Sequence, residues 1–204
     1  YWKTEEAIFL RPVDSRSLFV PAAIKPQLDR LLLFCRQEQA LVIVTGEAGT
    51  GKSTLAKWLY DSIDSETHEV LLTSVVQREE KGGWLTPRLA ELMGVRTTSR
   101  DSAALIRATA ARLDELIAER RKLVCVIDAA HLAATPEAFS DIVSLLNLQS
   151  LAGTCLSFVL IGAPELRTTI EATPSLASKL AFVLTLPKLI RAETEAYLNH
   201  RLKS

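Results

Sequence analysis

The chain has 204 residues, enough for one domain with a full hydrophobic core. Hydrophobic residues make up 48% of it, and its 24 basic residues balance its 24 acidic ones, which gives no electrostatic reason to expect a nucleic-acid or membrane-surface protein. No apolar run approaches the roughly 20 residues of a membrane span, and no secretory signal opens the sequence. We therefore expect a cytoplasmic location, either as a free domain or as the cytoplasmic part of a longer membrane-anchored protein.

The beginning of the chain predicts an arm, a helix and a buried strand. Residues 1–20 hold scattered aromatic side chains with no clear period, which is typical of an irregular arm packed against a domain. Pro21 and Pro26 precede apolar residues at helical spacing, namely Leu28, Leu31, Leu32 and Cys35. Residues 41–45 are all apolar or β-branched, and they predict a fully buried strand.

Strand and helix patterns alternate through the middle of the chain. Residues 69–76 are rich in valine and leucine and predict a second strand, and residues 84–93 predict a short helix. Asp101 or Ser102 then caps a long amphipathic helix that we expect to run through the basic cluster at residues 120–122. We interpret that cluster as favourable charge at a helix C-terminus rather than as a nucleic-acid patch.

The last part of the chain repeats the same alternation. Three more apolar runs predict strands at residues 123–127, 156–161 and 182–186. Helical patterns accompany them at residues 136–148, from Pro164 or Glu165 onward, and at residues 192–202. Five strands that alternate with helices predict an α/β fold with a doubly wound parallel sheet covered on both faces.

Three cysteines are present, Cys35, Cys125 and Cys155, and each stands in an apolar stretch. Their spacing does not match any common metal-ligand pattern. We therefore predict buried free thiols in a reducing compartment rather than a disulfide or a metal site.

A phosphate-binding motif, G-x-x-x-x-G-K-S, joins the first strand to the next helix. We name residues 46–54 the phosphate loop; it consists of Gly46, Glu47, Ala48, Gly49, Thr50, Gly51, Lys52, Ser53 and Thr54. Its glycines let backbone N–H groups point at phosphate oxygens. Lys52 can reach the β- and γ-phosphates, Ser53 can ligate Mg²⁺, and the following helix adds its positive end. The motif predicts a chain that binds a nucleoside phosphate.

The second candidate position is Asp128, at the carboxyl end of the third apolar strand. A carboxylate beside a phosphate loop can hold Mg²⁺ directly or through water. Hydrolysis also needs a group that orients the attacking water, and the following residue, Ala129, has no side chain that could do so. His131 is close in sequence and could act on water, although we favour contacts with neighbouring polar groups as its role.

Four segments carry a resemblance to a known family: GEAGTGKS, VCVIDAAHL, FVLIGAPELR and LIRAETEAYLNHRL. From about Phe9 to its end, the chain resembles the ExeA/GspA branch of the AAA ATPases, with the TniB/TnsC-like transposition ATPases as a related branch. The resemblance implies an N-terminal arm at residues 1–20, an AAA-type P-loop NTPase domain at residues 21–188, and only the start of a C-terminal helical lid at residues 189–204. It also implies ATP or ADP with Mg²⁺ as the cofactors.

The same resemblance assigns roles to single residues. Lys52 and Ser53 would bind phosphate and Mg²⁺, and Asp128 would be the second Mg²⁺ partner. Phe19 and Val20 would lie near the adenine, because the corresponding part of the family flanks the base.

Three residues depart from the family pattern. Ala129 replaces the usual acidic residue, Ala163 replaces a polar sensor residue after the fourth strand, and Lys179 replaces an arginine that can reach a neighbouring subunit. A lysine keeps the charge of that arginine finger but loses its planar fork. Ala129 is either an engineered change or a natural one, and the other two departures favour a naturally weakened enzyme.

These features lead to one main functional hypothesis and two alternatives. The main one is an ATP-binding assembly factor for a bacterial secretion or pilus-type envelope machine, with low ATP hydrolase activity. It would form homo-oligomers in the nucleotide-bound state and act with an inner-membrane or cell-envelope partner. The alternatives are an ATP-dependent DNA-loading transposition regulator, which the balanced charge disfavours, and a nucleotide-binding scaffold that hydrolyses nothing.

Overall fold

A parallel sheet of five strands is the centre of the fold. The computed structural model describes residues 18–36, 41–76, 83–95, 102–133, 135–152 and 155–203. The strands pair in the order β2-β3-β4-β1-β5, and every pairing is parallel. Their bounds are β1 Leu41–Gly46, β2 His68–Ser74, β3 Lys122–Asp128, β4 Leu156–Gly162 and β5 Leu180–Leu186.

Eight helices precede, connect or follow these strands in the described part of the chain. They are α1 Lys25–Arg36, α2 Lys52–Ser62, α3 Leu85–Leu92, α4 Ser102–Ala118, α5 Ser140–Ala152, α6 Glu165–Glu171, α7 Pro174–Ala177 and α8 Arg191–Lys203. Two short 3₁₀ segments, Ala130–Leu132 and Pro136–Phe139, lie between β3 and α5. No helix within the described ranges is long and apolar enough to cross a membrane.

Both faces of the sheet are buried under helices. In β1, Leu41 and Ile43 join the core beneath α3, α4, α5, α6 and α7, whereas Val42 and Val44 join the core beneath α1 and α2. Side chains alternate between the faces of a strand, so a strand covered on both sides must be apolar at every position. This arrangement confirms the predicted α/β fold with a doubly wound parallel sheet.

The predicted extent of α4 through residues 120–122 was wrong. The helix ends at Ala118, and Arg120 takes a left-handed conformation with φ 57°. The Arg121 N–H donates to the Leu116 carbonyl at 2.8 Å, while the Arg120 N–H donates to the Ile117 carbonyl at 3.0 Å. This double closure is a Schellman turn, which stops a helix and satisfies its last carbonyls. The basic cluster therefore spans the turn and the first residue of β3.

Other boundaries shift by a few residues from the prediction. Strand β2 covers 68–74 rather than 69–76, and β5 begins at Leu180 rather than at residue 182. The four-residue α7 was not predicted because it is too short to show a helical period. Residues 1–17, which make up most of the predicted arm, and the predicted cap Asp101 lie outside the described residues.

All three cysteines are free and buried, as predicted. Burial raises the pKa of the Cys35 thiol to about 12 and that of Cys155 to about 11, because a thiolate loses its hydration inside the core. Burial raises the pKa of Cys125 in the same way. The thiols therefore stay protonated and act as small core residues.

A buried carboxylate on α5 fixes the start of α3. The Asp141 side chain accepts backbone N–H groups from Gly83, Leu85 and Thr86, each at 2.9 Å. The first N–H groups of a helix have no partner within the helix, and here a distant aspartate supplies it. The contact ties α3 to α5 on one face of the sheet.

We expect Asp141→Ala to lower the free energy of unfolding by about 3 kcal/mol, because it leaves backbone donors buried without an acceptor. Urea denaturation followed by circular dichroism measures the change. Asp114→Ala is the matched control, since Asp114 is exposed on α4 and its loss should change stability by less than about 0.5 kcal/mol. Equal stability of the two variants would contradict the role of Asp141.

Candidate functional site

The phosphate loop has a backbone that depends on its glycines. Gly49 and Gly51 have φ angles of 80° and 87°, in the left-handed region that other residues rarely adopt. Gly46 has no room for a side chain, because an added Cβ would lie 2.5 Å from the Thr50 hydroxyl oxygen and 3.1 Å from the Leu186 carbonyl oxygen. The motif is therefore folded into a tight turn against the end of β5.

Lys52, in the first turn of α2, reaches back to the start of the phosphate loop. Its ammonium donates to the carbonyls of Gly46 and Glu47 at 2.8 and 2.7 Å. An ammonium has three donors, so one remains for a phosphate oxygen. At the same end of α2, Gly51 is the N-cap and provides no side-chain cap. The first N–H groups of α2 thus keep their donor capacity for an anion.

The parallel sheet brings the predicted site residues to one edge. Carboxyl ends of parallel strands share an edge, and the order β3-β4-β1 places Asp128, then Gly162 and Ala163, then the phosphate loop along it. One Asp128 carboxylate oxygen accepts the Ala129 N–H at 2.8 Å, and the other has no partner among the described residues. This second oxygen is available to a cation or water.

The segment after Asp128 packs against the end of β4. Ala129 adopts a left-handed conformation with φ 54°, and His131 follows in the 3₁₀ segment. A Cβ added to Gly162 would lie 2.9 Å from the His131 backbone nitrogen, so the two segments are in close contact. The His131 Nδ1 atom is buried without a hydrogen-bond partner in the described structure. His131 therefore lies against Gly162, the residue that precedes Ala163.

The oxygen donors at this edge fit Mg²⁺. The Ser53 hydroxyl is exposed in the first turn of α2, and Asp128 is half-buried at the end of β3. Within the described ranges, no group of three or more histidine, cysteine or acidic residues is clustered as a self-sufficient metal site. Mg²⁺ typically takes few protein oxygens and completes its shell with phosphate and water. Ser53 and Asp128 are the residues that would hold it here.

A cavity of about 390 Å³ lies beside the phosphate loop. Its walls come from four parts of the chain and are mostly apolar. The lining residues are Leu18, Phe19, Val20, Pro21, Ile24, Leu28, Ala48, Gly49, Thr50, Gly51, Thr54, Leu55, Leu186, Pro187, Lys188, Leu189, Thr194 and Tyr197. The volume is in the range of small-molecule sites in proteins. Phe19 and Val20, predicted to lie near the adenine, thus line a cavity that is continuous with the loop.

Phe19 also joins the start of the described chain to α8. Its ring is 5.8 Å from the ring of Tyr197, edge to face, and 5.9 Å from the ring of His200. Aromatic pairs in this geometry are favourable beyond the area they bury. The cavity is therefore closed on one side by a contact between two segments that are far apart in sequence.

Lys179 directly precedes β5, at the amino ends of the strands and therefore opposite their carboxyl ends. Its carbonyl accepts the N–H of Leu41, the first residue of β1, at 3.3 Å. The phosphate loop begins at Gly46, the last residue of β1, so the length of a strand separates Lys179 from the loop of its own chain. Any contact of Lys179 with a nucleotide would involve a neighbouring copy.

The sequence prediction missed the contribution of the segment after β5. Leu186, Lys188, Thr194 and Tyr197 all line the cavity. The parallel pairing of β5 with β1 predicts this contribution, because a strand paired in parallel with β1 must end beside the phosphate loop. This prediction requires the order of the strands in the sheet, which the sequence of β5 does not reveal.

Residues 35–170 match a family model described as AAA domain. General secretion pathway protein A of Aeromonas hydrophila is 28% identical over 169 residues, which cover 79% of this chain and 29% of that protein. This chain therefore spans less than a third of that relative.

Solved structures show the same fold at low identity. Cdc6p from Pyrobaculum aerophilum aligns with a TM-score of 0.72 and 16% identity, over 94% of this chain and 54% of that one. The ORC2 protein of Aeropyrum pernix, solved in ADPNP-ADP complexes, aligns with a TM-score of 0.67 and 18% identity, over 89% of this chain and 50% of that one. At such identities the likeness establishes the fold alone.

We expect Asp128→Asn to weaken the binding of ATP in the presence of Mg²⁺ roughly tenfold, because an amide is a poorer partner for the cation or its water. Isothermal titration calorimetry with Mg²⁺ and with a chelator measures the difference. In chelator the variant and the unmodified chain should bind alike, and Asp114→Asn should match the unmodified chain in both conditions. An equal loss with and without Mg²⁺ would contradict a metal role for Asp128.

Proposed function

The chain belongs to the AAA domain family, and we propose that it binds ATP with Mg²⁺ and hydrolyses it slowly. One observation carries this proposal. The phosphate loop is complete, with Lys52 and Ser53 in place, whereas the residues at the water-orienting and sensor positions are Ala129 and Ala163. The loop that would hold a nucleotide is present, whereas these two positions carry only methyl groups, which cannot orient water.

The cavity supports adenine as the base. Its walls offer apolar contact area on both sides, from the 18–21 segment and from the segment after β5. Guanine carries donors at N1 and N2 that are commonly paired with a carboxylate, and none of the described residues that line this cavity carries one. The ADPNP-ADP complexes of the ORC2 structure agree with an adenine nucleotide in this fold.

The proposal of weak hydrolysis is based on the side chains at the carboxyl ends of β3 and β4. Positioned acid–base groups contribute roughly 10²–10⁴-fold to rates, and the Ala129 methyl group can neither accept a proton nor orient water. His131 is the remaining candidate for acting on water. Lys179, acting from a neighbouring copy, would supply charge without the bidentate geometry of an arginine.

The position of Lys179 also supports a homo-oligomer. Since it lies at the edge opposite the phosphate loop of its own chain, a catalytic contact would exist only between copies. We propose that bound ATP promotes this assembly. The resemblance to General secretion pathway protein A supports a role in a bacterial secretion or pilus-type envelope machine, with a partner at the inner membrane or cell envelope.

Two alternatives remain testable beside this one. A scaffold that never hydrolyses ATP is favoured by the same two alanines, Ala129 and Ala163. An ATP-dependent DNA-loading regulator is favoured by the fold it shares with the Aeropyrum pernix ORC1 protein solved in complex with DNA, at a TM-score of 0.67. The balanced charge of the chain, 24 basic and 24 acidic residues, counts against DNA.

The central test compares the unmodified chain with Ala129→Glu for ATP binding and phosphate release. We expect both to bind ATP and the variant to release phosphate on the order of 100-fold faster, because it regains a water-orienting carboxylate. Ala129 has φ 54°, so the exchange replaces one non-glycine residue with another in the same conformation. Lys52→Ala in each background is the control that should remove binding.

Three outcomes would contradict parts of this proposal. Rapid phosphate release by the unmodified chain would exclude weak hydrolysis. No release by Ala129→Glu would exclude Ala129 as the reason for it and would favour the scaffold. ATP-dependent DNA binding that persists at moderate salt would favour the DNA-loading regulator over the envelope-assembly factor.

A further inference from the structure

Among the described residues that line the cavity, Lys188 is the one with a charged side chain. The other lining residues are apolar, are glycines, or carry a hydroxyl group. Lys188 is exposed on the connection between β5 and α8, outside the segment that matches the family model. The mostly apolar cavity beside the phosphate loop is thus lined by one cationic side chain in the described part of the chain.

The strand register places Lys188 close to the phosphate loop. Leu186, the last residue of β5, pairs with Gly46, the first residue of the loop. Lys188 follows two residues later, which is roughly 7 Å of extended chain. Its flexible four-carbon stem can carry the ammonium back towards the loop or across the cavity.

The Lys188 ammonium has no intramolecular role in the described part of the chain. It forms no hydrogen bond or ion pair there. The acidic residues of the adjacent helix have other partners, because Glu193 accepts the Ile190 N–H at 3.0 Å and Glu195 pairs with Arg191 at 3.3 Å. The charge of Lys188 is therefore available to a ligand.

We propose that Lys188 is a second phosphate-binding cation, which acts beside Lys52 on the phosphate chain of the bound nucleotide. This inference rests on the proposed nucleotide binding. An ammonium is a compact, strongly hydrated charge that pairs best with phosphate oxygens. Lys188 thus adds to the affinity that the phosphate loop gives for the nucleotide.

The test is the binding of ADP to Lys188→Met at several salt concentrations, measured by calorimetry on the full chain. Methionine keeps the apolar stem and removes the charge. We expect the affinity to fall about fivefold to tenfold at low salt, and the difference to shrink as salt rises, because screening weakens the lost ion pair. Lys188→Arg should retain most of the affinity.

Lys57→Met is the matched control, because Lys57 is an exposed lysine of α2 that does not line the cavity. It should bind ADP like the unmodified chain. Unchanged affinity of Lys188→Met would overturn the inference, and so would a loss that does not depend on salt, which would indicate packing on the base. Failure of the unmodified chain to bind ADP would overturn the proposed function itself and the inference with it.

Discussion

The parallel pairing of β1 with β4 and β5 is the constraint on which the site depends. It brings the carboxyl ends of all strands to one edge, so the phosphate loop, the end of β4 and Asp128 lie along a single line. It also places the end of β5 against Gly46, where the space for a side chain is already filled. The buried valine, isoleucine and leucine residues on both faces hold this pairing in place.

Within this frame, the two halves of the site differ in what they can do. On the β1 side, Lys52, the first turn of α2 and the apolar cavity offer donors, positive charge and contact area to a nucleotide. On the β3 and β4 side, Asp128 offers one carboxylate oxygen, while Ala129 and Ala163 offer nothing to the attacking water. This difference supports the proposal that the domain responds to nucleotide occupancy more than to repeated turnover.

Local sequence patterns were sufficient for much of this structure. The apolar run of β1 followed by the glycines of the phosphate loop predicted strand, turn and helix, because each depends on neighbours in the sequence. The left-handed Arg120 that ends α4 was missed, since it satisfies helix carbonyls without a glycine signal. Lys188 was missed for a different reason: it lines the cavity only because β5 pairs with β1, a contact between residues far apart in sequence.

The most direct test of the account follows the fate of bound nucleotide. The chain is loaded with Mg²⁺ and ATP labelled at the γ-phosphate, separated from free nucleotide, and assayed over time for intact ATP and released phosphate. We expect the recovered chain to carry nucleotide, and this nucleotide to remain mostly ATP. Recovery of ADP with rapid loss of label would contradict weak hydrolysis, and recovery of a chain without nucleotide would contradict binding.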